Sequence, residues 1–183
     1  MNSEIKTLKK ILLAEDDPQD LELTLAALEQ HHLANQVVVV RDGEQALDYL
    51  YRRGAFKTRP GGNPVVVLLD LKMPKVSGLE VLKILKVDEQ LKLIPIVVLT
   101  SSRETPDLIE CYRHGVNSYV VKPVDFAEFV KAVKQLGVFW AAVNEPPPHT
   151  RREEPAIQVA EVFSAGGQEV INEIPAPHPP PGR

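Results

Sequence analysis

Cysteine and long apolar runs are both scarce in this sequence. Cys111 is the only cysteine, which excludes an internal disulfide and a cysteine-clustered zinc site and favours a reducing compartment. No apolar run approaches the roughly 18 residues that a membrane helix needs, and residues 1–10 are too polar and charged for a signal peptide. We therefore expect a cytoplasmic protein with no membrane partner.

An excess of positive charge is also missing. Lysine and arginine number 21 against 25 aspartates and glutamates, which gives a formal net charge of -4 and a pI near 5.8. The basic residues are scattered among acidic ones, whereas a nucleic-acid surface needs a concentrated positive field. We expect no nucleic-acid partner. The chain has 183 residues, of which 44% are hydrophobic, and this is enough to form one buried core.

Five short apolar runs, rich in valine and isoleucine, are spread over the first two thirds of the chain. They are Ile11 to Ala14, Val37 to Val40, Val65 to Leu69, Ile94 to Leu99 and Tyr119 to Val121. Runs of this length and composition are typical of strands buried on both faces of a sheet. A segment with helical spacing follows each run, so we predict five alternating strands and helices.

Helix start signals support this order. Asp17-Pro18 opens the first helical segment, and Asp125 to Glu128 has the capping-box pattern that opens the last. The fourth segment offers Leu108, Ile109 and Tyr112 as the apolar face expected to pack inward. Strands alternating with helices through short connections predict an α/β fold, a doubly wound parallel sheet with helices on both faces. Such sheets bind ligands beyond the carboxyl ends of their strands.

Proline is concentrated near the end of the chain. Nine of the 16 prolines fall in residues 144–183. We divide the chain into an N-terminal extension at 1–7, one folded domain at 8–143 and a proline-rich tail at 144–183 that we expect to be disordered. Ala156 to Phe163 and Gln168 to Ile174 flank Gly166-Gly167, which leaves a small hairpin or a docking segment as the alternative.

Charged and polar residues stand at the ends of four predicted strands. Glu15-Asp16-Asp17 follows the first, Asp70 follows the third, Thr100 ends the fourth and Lys122 follows the fifth. Each alone is more often a solvated strand end, but together they place carboxylates, a hydroxyl and an ammonium on one sheet edge. Adjacent carboxylates repel unless a cation separates them, and hard oxygen ligands suit Mg²⁺. We therefore predict a magnesium site beside Asp70.

The same groups fit the transfer of a phosphoryl group. Lys122 supplies a point positive charge for phosphoryl oxygens, and the Thr100 hydroxyl supplies a hydrogen bond. Asp70 lies centrally, with a carboxylate oxygen available for in-line attack on phosphorus. Such an attack would give an acyl phosphate on Asp70.

Four stretches of the sequence resemble the CheY-like receiver domains of two-component response regulators. They are Ile11 to Pro18, Leu68 to Pro74 with Gly78, Val98 to Ser101, and Tyr119 to Pro123. The resemblance covers residues 8–143 and implies a flavodoxin-like sheet of strand order 2-1-3-4-5. The insert Arg52 to Pro64 and the pair Phe139-Trp140 look closest to the single-domain regulators that are paired with bacterial and cyanobacterial phytochromes.

The resemblance implies roles for the residues around the predicted ion. Asp70 becomes the phosphoacceptor, and Glu15 and Asp16 become the acidic pair that holds Mg²⁺ together with Asp70. The backbone carbonyl of Lys72 completes the protein ligands. Asp17 lies one place beyond the pair, and capping the first helix is the better interpretation of that residue.

The resemblance also implies a switch. Lys122 matches the lysine that contacts the phosphoryl group, and Thr100 and Tyr119 match the switch residues that alter the face formed by the fourth helix, the fifth strand and the fifth helix. The Lys122–Pro123 peptide is expected to be cis. Ser102 matches a position that tunes hydrolysis of the acyl phosphate, as does Lys72. Charge alone leaves the lifetime of that phosphate open.

The implied function is that of a phosphorelay response regulator rather than a turnover enzyme. A sensor histidine kinase, in this subfamily a bacteriophytochrome, donates the phosphoryl group, and the output is a protein contact because no DNA-binding domain follows residue 143. One alternative is a phosphohydrolase of the haloacid dehalogenase type, but such enzymes need an acid at the position of Lys72. A second is a pseudo-receiver, which keeps the fold and never carries phosphate.

The last predicted helix carries more apolar residues than one sheet face covers. Its core stripe is Phe129, Val133, Leu136 and Trp140. Val130, Val138 and Phe139 lie off that stripe. The regulators that this chain resembles tend to form homodimers through this region, so we expect a homodimer built on the last helix.

Overall fold

The computed structural model describes residues 10–29, 33, 36–123, 125–145 and 147. The predicted extension at 1–7 and residues 148–183 of the predicted tail, with its candidate hairpin, lie outside these residues. The strands and helices alternate in the order β1 (Ile11–Ala14), α1 (Pro18–Glu29), β2 (Val37–Val40), α2 (Gly43–Tyr51), β3 (Val66–Leu69), α3 (Gly78–Val87), β4 (Ile96–Thr100), α4 (Thr105–Arg113), β5 (Ser118–Val121) and α5 (Phe126–Val138). A 3₁₀ turn at Gly54–Phe56 and a π-helical turn at Phe139–Val143 complete the described elements.

The five strands form one parallel sheet in the order β2-β1-β3-β4-β5. Both the α/β class and the predicted order 2-1-3-4-5 are confirmed. The central strands β1, β3 and β4 are fully buried, whereas the edge strands β2 and β5 are mostly half-buried. This difference follows from topology, because an edge strand has a neighbouring strand on one side only.

Alternate residues of each strand point to opposite faces of the sheet and fill two cores. Leu12 and Ala14 of β1 belong to a cluster with the apolar residues of α2, α3 and α4. Ile11 and Leu13 of the same strand belong to a cluster with Leu21 of α1 and half-buried residues near the end of α5. The helices therefore cover both faces, as the doubly wound arrangement requires.

Helix α3 is anchored at its start and along its length. The Ser77 hydroxyl accepts a hydrogen bond from the Glu80 amide, and the Glu80 carboxylate accepts one from the Ser77 amide, which together make a capping box. Three side chains of α3, those of Val81, Leu82 and Leu85, are fully buried. Both local and packing interactions thus fix this element.

Helix α4 differs from its predicted packing. Leu108, Ile109 and Tyr112, expected to point inward, are 38%, 44% and 55% exposed. The residue that this helix buries is the small Cys111. Cys111 is thus the only residue of α4 that belongs to the buried core cluster. The described helices include none that is long and apolar enough to cross a membrane.

Two glycines hold the loop between β3 and α3 close to its neighbours. A Cβ atom on Gly78 would lie 2.0 Å from the Asp70 carbonyl oxygen, and one on Gly43 would lie 2.1 Å from the Val76 carbonyl oxygen. No side chain fits at either distance, so glycine is required at both positions. The loop that follows Asp70 is therefore wedged between the starts of α2 and α3.

Candidate functional site

The polar strand ends predicted from the sequence meet at one edge of the sheet. Because the strands are parallel, their carboxyl ends point the same way. Glu15 and Asp16 follow β1, Asp70 follows the adjacent β3, and carboxylate oxygens of these three residues lie within 4.8 Å of one another. The cluster thus lies where two neighbouring strands end side by side, the usual position of a ligand site in such sheets.

The three carboxylates form a donor set that fits a hard divalent cation. Mg²⁺ prefers carboxylate oxygens and retains several waters, and three like charges at this spacing otherwise repel one another. Glu15 and Asp70 are 2% and 5% exposed, while Asp16 is less buried than either. The Lys72 amide donates a hydrogen bond of 2.6 Å to Asp70 Oδ2. The Lys72 carbonyl stays a predicted ligand.

Burial dominates the electrostatics of Glu15. It raises the pKa of this carboxyl from 4.5 to about 7, and the negative charge of Asp70 adds to the effect. A hydrogen bond from Lys122 and one of 3.2 Å from the Asp17 amide act in the opposite direction. Burial therefore favours the neutral form of this carboxyl, and a bound cation would favour the ionised form.

Lys122 supplies the positive side chain of the site. Its Nζ atom lies 2.7 Å from Glu15 Oε2, 2.7 Å from Asp20 Oδ2 and 3.2 Å from Asp70 Oδ1. Burial alone would lower the pKa of Lys122, but the hydrogen bonds to Asp20 and Glu15 outweigh it and raise the pKa. Both pKa values rise, but the rise favours the neutral form of Glu15 and the charged form of Lys122. The ammonium has three carboxylate neighbours, whereas Glu15 has one ammonium. Lys122 therefore stays charged.

Asp20 is a member of the site that the sequence analysis missed. The sequence did contain a sign of this role, because Asp20 is an acidic residue in the first turn of α1, close after Glu15 and Asp16. Side chains at the start of this helix lie near the ends of the strands. Asp17, by contrast, caps the helix as predicted: its Oδ1 atom accepts hydrogen bonds of 2.8 Å from the Gln19 amide and 2.9 Å from the Asp20 amide.

Thr100 and Tyr119 are joined through Ser102. Thr100 is fully buried, and its Oγ1 atom accepts a 3.2 Å hydrogen bond from the Ser102 amide. The Tyr119 hydroxyl donates to the Ser102 carbonyl oxygen at 3.2 Å, and the Ser102 hydroxyl donates to Asp107 Oδ2 of α4 at 2.6 Å. Burial raises the pKa of Tyr119. Ser102 thus connects the end of β4 with both β5 and α4.

The peptide that follows Lys122 corrects one prediction. The described residues contain no cis peptide bond, so the Lys122–Pro123 bond, expected to be cis, is trans. The trans form is favoured before proline by about 0.5–1 kcal/mol. The Lys122 amide donates to the Thr100 carbonyl oxygen at 2.7 Å, so the strand geometry continues as far as Lys122. The Lys122 side chain therefore extends toward the carboxylates from a backbone that is still paired with β4.

A comparison of the sequence with models of known protein families agrees with the fold and with the residues at this edge of the sheet. Residues 11–134 match the family described as the response regulator receiver domain. The match spans more than half of the chain, and the chain belongs to this family. The predicted family is therefore confirmed.

Three relatives place the chain within the family. Response regulator Rcp1 of Synechocystis is 36% identical over 76% of this chain and 94% of its own, and its Mn²⁺-bound structure aligns with a TM-score of 0.71. The phosphorylated cyanobacterial phytochrome response regulator RcpA is 37% identical, covers 76% of this chain and 98% of its own, and has a TM-score of 0.71. The bacteriophytochrome response regulator AtBRR is 62% identical, covers 75% of this chain and 99% of its own, and has a TM-score of 0.61. The predicted likeness to phytochrome-associated regulators is confirmed.

Proposed function

We propose that this chain is a two-component response regulator that accepts a phosphoryl group on Asp70 from a sensor histidine kinase. The observation that carries the proposal is the convergence of Glu15, Asp16 and Lys122 on Asp70 at the end of β3. The structure of phosphorylated RcpA, at 37% identity, supports it. The chain acts as an acceptor that assists its own phosphorylation, and it does not turn over substrate as an enzyme does.

The transfer exchanges one bond to phosphorus for another. A carboxylate oxygen of Asp70 forms a bond to phosphorus, the bond from phosphorus to the kinase imidazole nitrogen breaks, and the imidazole keeps the electron pair. Lys122 offsets the negative charge of the phosphoryl oxygens, and the buried Thr100 hydroxyl offers them a hydrogen bond.

Glu15, Asp16 and Asp70 would hold Mg²⁺, with the carbonyl of Lys72 as the further predicted ligand. Bound there, the ion supplies positive charge to the transferring phosphoryl group. The structure of the relative Rcp1 is an Mn²⁺-bound form, which supports the binding of a divalent ion by this chain. Mg²⁺ is our choice because all the donors are oxygens and because octahedral coordination leaves open positions for phosphoryl oxygens.

The signal leaves the site through the Thr100 and Tyr119 pair. When the Thr100 hydroxyl turns toward the phosphoryl group, it gives up the hydrogen bond from the Ser102 amide. Ser102 also holds Tyr119 and, through Asp107, helix α4, so both respond to its displacement. The output is a change of the α4 surface that a partner protein reads, which needs no DNA-binding domain.

A bacteriophytochrome kinase is the partner that we propose, because RcpA and AtBRR are phytochrome response regulators. The cytoplasm is the proposed location, since the kinase spends ATP there. The test measures transfer from an autophosphorylated bacteriophytochrome kinase and from a histidine kinase of an unrelated pathway at equal concentrations. We expect faster transfer from the former, and equal rates would contradict this partner.

A homodimer is also part of the proposal. Lys131, Lys134, Gln135, Val138, Phe139 and Val143 line an apolar groove at the end of α5. Phe139 and Val143 are 48% and 68% exposed there, whereas Val130 packs against the core and adds nothing to the groove. Phe139→Ala should weaken the dimer by about 2 kcal/mol. Sedimentation velocity checks this, and a wild type that stays monomeric at high concentration would refute the dimer.

The central experiment tests the acceptor. The protein is incubated with Mg²⁺ and either acetyl phosphate or the autophosphorylated kinase, and the acyl phosphate is detected on a Phos-tag gel. We expect the wild type to be labelled, Asp70→Asn to be unlabelled, and excess EDTA to prevent labelling. The matched control is Asp48→Asn, because Asp48 is a carboxylate of α2 that pairs with Arg53. This variant should label normally. Strong label on Asp70→Asn would overturn the assignment.

A further inference from the structure

The carboxylate of Asp20 contacts Lys122 but has no part in the proposed transfer. Its position is fixed from both sides within the first turn of α1. The Asp20 amide donates to the capping Asp17 Oδ1 at 2.9 Å, and the Asp20 carbonyl oxygen accepts from the Thr24 hydroxyl at 2.7 Å, with Thr24 fully buried. A side chain that begins from so constrained a backbone presents its oxygen at a defined place.

The Lys122 ammonium makes two hydrogen bonds and one longer ion-pair contact. An ammonium carries three N–H groups, and Lys122 Nζ lies within hydrogen-bonding distance of three carboxylates. The two short contacts, both 2.7 Å, go to Glu15 on the strand side and Asp20 on the helix side. The contact to Asp70 is longer, at 3.2 Å. Glu15 and Asp20 thus take the two hydrogen bonds of the ammonium, and the ion pair with Asp70 is the longest of the three contacts.

Lysine does not hold such a position by itself. Its four-carbon stem is flexible and its ammonium is a compact point charge, so without a second anchor it moves to the site of most negative potential. That site lies among Glu15, Asp16 and Asp70, where a divalent cation would also bind. An ammonium there would compete with the ion. The contact with Asp20 draws the ammonium toward α1 and away from that position.

We propose that Asp20 is a positioning residue: it holds the Lys122 ammonium beside the ion site, 3.2 Å from Asp70 Oδ1, so that the ammonium can donate its remaining N–H to the phosphoryl group. The inference rests on the proposed function, because it assigns a task to Asp20 within phosphoryl transfer to Asp70. The positioning of Lys122 depends on the hydrogen-bonding oxygen of Asp20 more than on the negative charge of Asp20. Experiment can separate these two contributions.

The variants separate the oxygen from the charge. Asp20→Asn keeps an oxygen acceptor in the same place and removes the charge, and Asp20→Ala removes both. Glu22→Ala removes a charge of the same sign from an exposed position of the same helix and serves as the control. We expect Asp20→Ala to slow phosphorylation by acetyl phosphate about five- to tenfold. Asp20→Asn should recover most of that loss, and Glu22→Ala should match the wild type.

A second measurement needs neither metal nor phosphate. In protein with ¹⁵N-labelled lysine, a hydrogen-bonded ammonium exchanges its protons slowly enough to give an NMR signal, and Lys122→Met assigns that signal by its loss. We expect the Lys122 signal in the wild type, in Glu22→Ala and in Asp20→Asn, and its loss or broadening in Asp20→Ala. A role of Asp20 in helix stability alone would leave this signal unchanged.

The possible results distinguish the two levels of the argument. An unlabelled wild type, or a labelled Asp70→Asn, overturns the proposed function. A wild type labelled on Asp70 together with Asp20→Ala at the wild-type rate overturns the role of Asp20 alone. Equal losses in Asp20→Asn and Asp20→Ala would show that charge acts, not the hydrogen bond, and would also overturn it. If Asp20→Ala does not fold, Asp20→Asn alone tests the proposal. Loss of both the phosphorylation rate and the Lys122 ammonium signal in Asp20→Asn would reject it.

Discussion

Helices α3 and α4 lie on the same face of the sheet and are held in very different ways. α3 begins with a complete capping box and buries Val81, Leu82 and Leu85. α4 has no side-chain hydrogen bond at its cap and buries only Cys111. The difference teaches where the domain is rigid and where it is adjustable, because an element with few buried apolar contacts opens or shifts at low free-energy cost.

The two helices also connect differently to the site. The start of α3 is wedged beneath the Asp70 carbonyl by the close approach at Gly78, so α3 fixes the backbone at Asp70. α4 is linked to the site by the hydrogen bond from Ser102 to Asp107. Under the proposed function, α3 would support the phosphoacceptor, and the loosely held α4 would respond when Thr100 and Ser102 move.

The largest expected effect is in the core beneath α3. Leu82 is fully buried, so Leu82→Ala removes a large apolar side chain and leaves a cavity. We expect the free energy of unfolding to fall by about 2–5 kcal/mol. Denaturant unfolding followed by circular dichroism measures this. A loss below about 1 kcal/mol would show that α3 is not the anchored helix.

The capping box gives the next largest effect. Ser77→Ala removes the hydroxyl that accepts from the Glu80 amide and should lower the free energy of unfolding by about 1 kcal/mol. Glu104→Ala at the start of α4 is the matched control, because that residue makes no side-chain cap bond. The same unfolding assay compares them. Equal losses from the two variants would remove the contrast between the helix starts.

A pH dependence tests the anchor of the loop before α3. Lys75 Nζ lies 2.8 Å from Asp42 Oδ2. Burial alone would raise the pKa of Asp42, but the hydrogen bonds from Lys75 and the Gln45 amide outweigh it and lower the pKa. A carboxyl with a lowered pKa stabilises the folded state above its unfolded pKa, near 3.9, and that contribution is lost as the pH falls further.

The wild type should therefore exceed Asp42→Asn in stability at pH 7, and the gap should close as the pH falls below about 4. Thermal unfolding at a series of pH values gives both curves. Glu44→Gln alters the other, exposed carboxylate that contacts Lys75, and it should change stability less. A gap between wild type and Asp42→Asn that is constant over this pH range would contradict the role of the ion pair.

The smallest effect belongs to the exposed face of α4. Leu108 and Tyr112 are 38% and 55% exposed, so replacing either with alanine should change the free energy of unfolding by no more than about 0.5 kcal/mol. Unfolding at low protein concentration keeps association out of the measurement. A cost near that of Leu82→Ala would mean that α4 is as firmly packed as α3.

Much of the fold was predictable because its signals are local. Apolar runs such as Ile11 to Ala14 and Val37 to Val40 match observed strands at both ends. Strand ends such as Glu15 and Asp70 were predicted to converge because parallel strands end at one edge, which topology alone requires. The capping role of Asp17 was likewise read from its place before proline.

The failures have a common physical cause. The helical period showed that Leu108, Ile109 and Tyr112 share a face, but not that the folded domain leaves this face partly exposed. Asp20 was missed because its partner, Lys122, lies about a hundred residues away, and such a contact depends on the tertiary position of α1. The trans peptide after Lys122 also depends on its tertiary setting, which local sequence does not specify.

The close approaches at Gly43 and Gly78 limit how this domain changes over evolutionary time. Any substitution at either position would place an atom about 2 Å from a backbone carbonyl oxygen, so we expect glycine to persist at both. Leu108 and its exposed neighbours on α4 face no such barrier. In proteins that descend from this chain, we therefore expect the loop after Asp70 to keep its shape while the exposed residues of α4 vary.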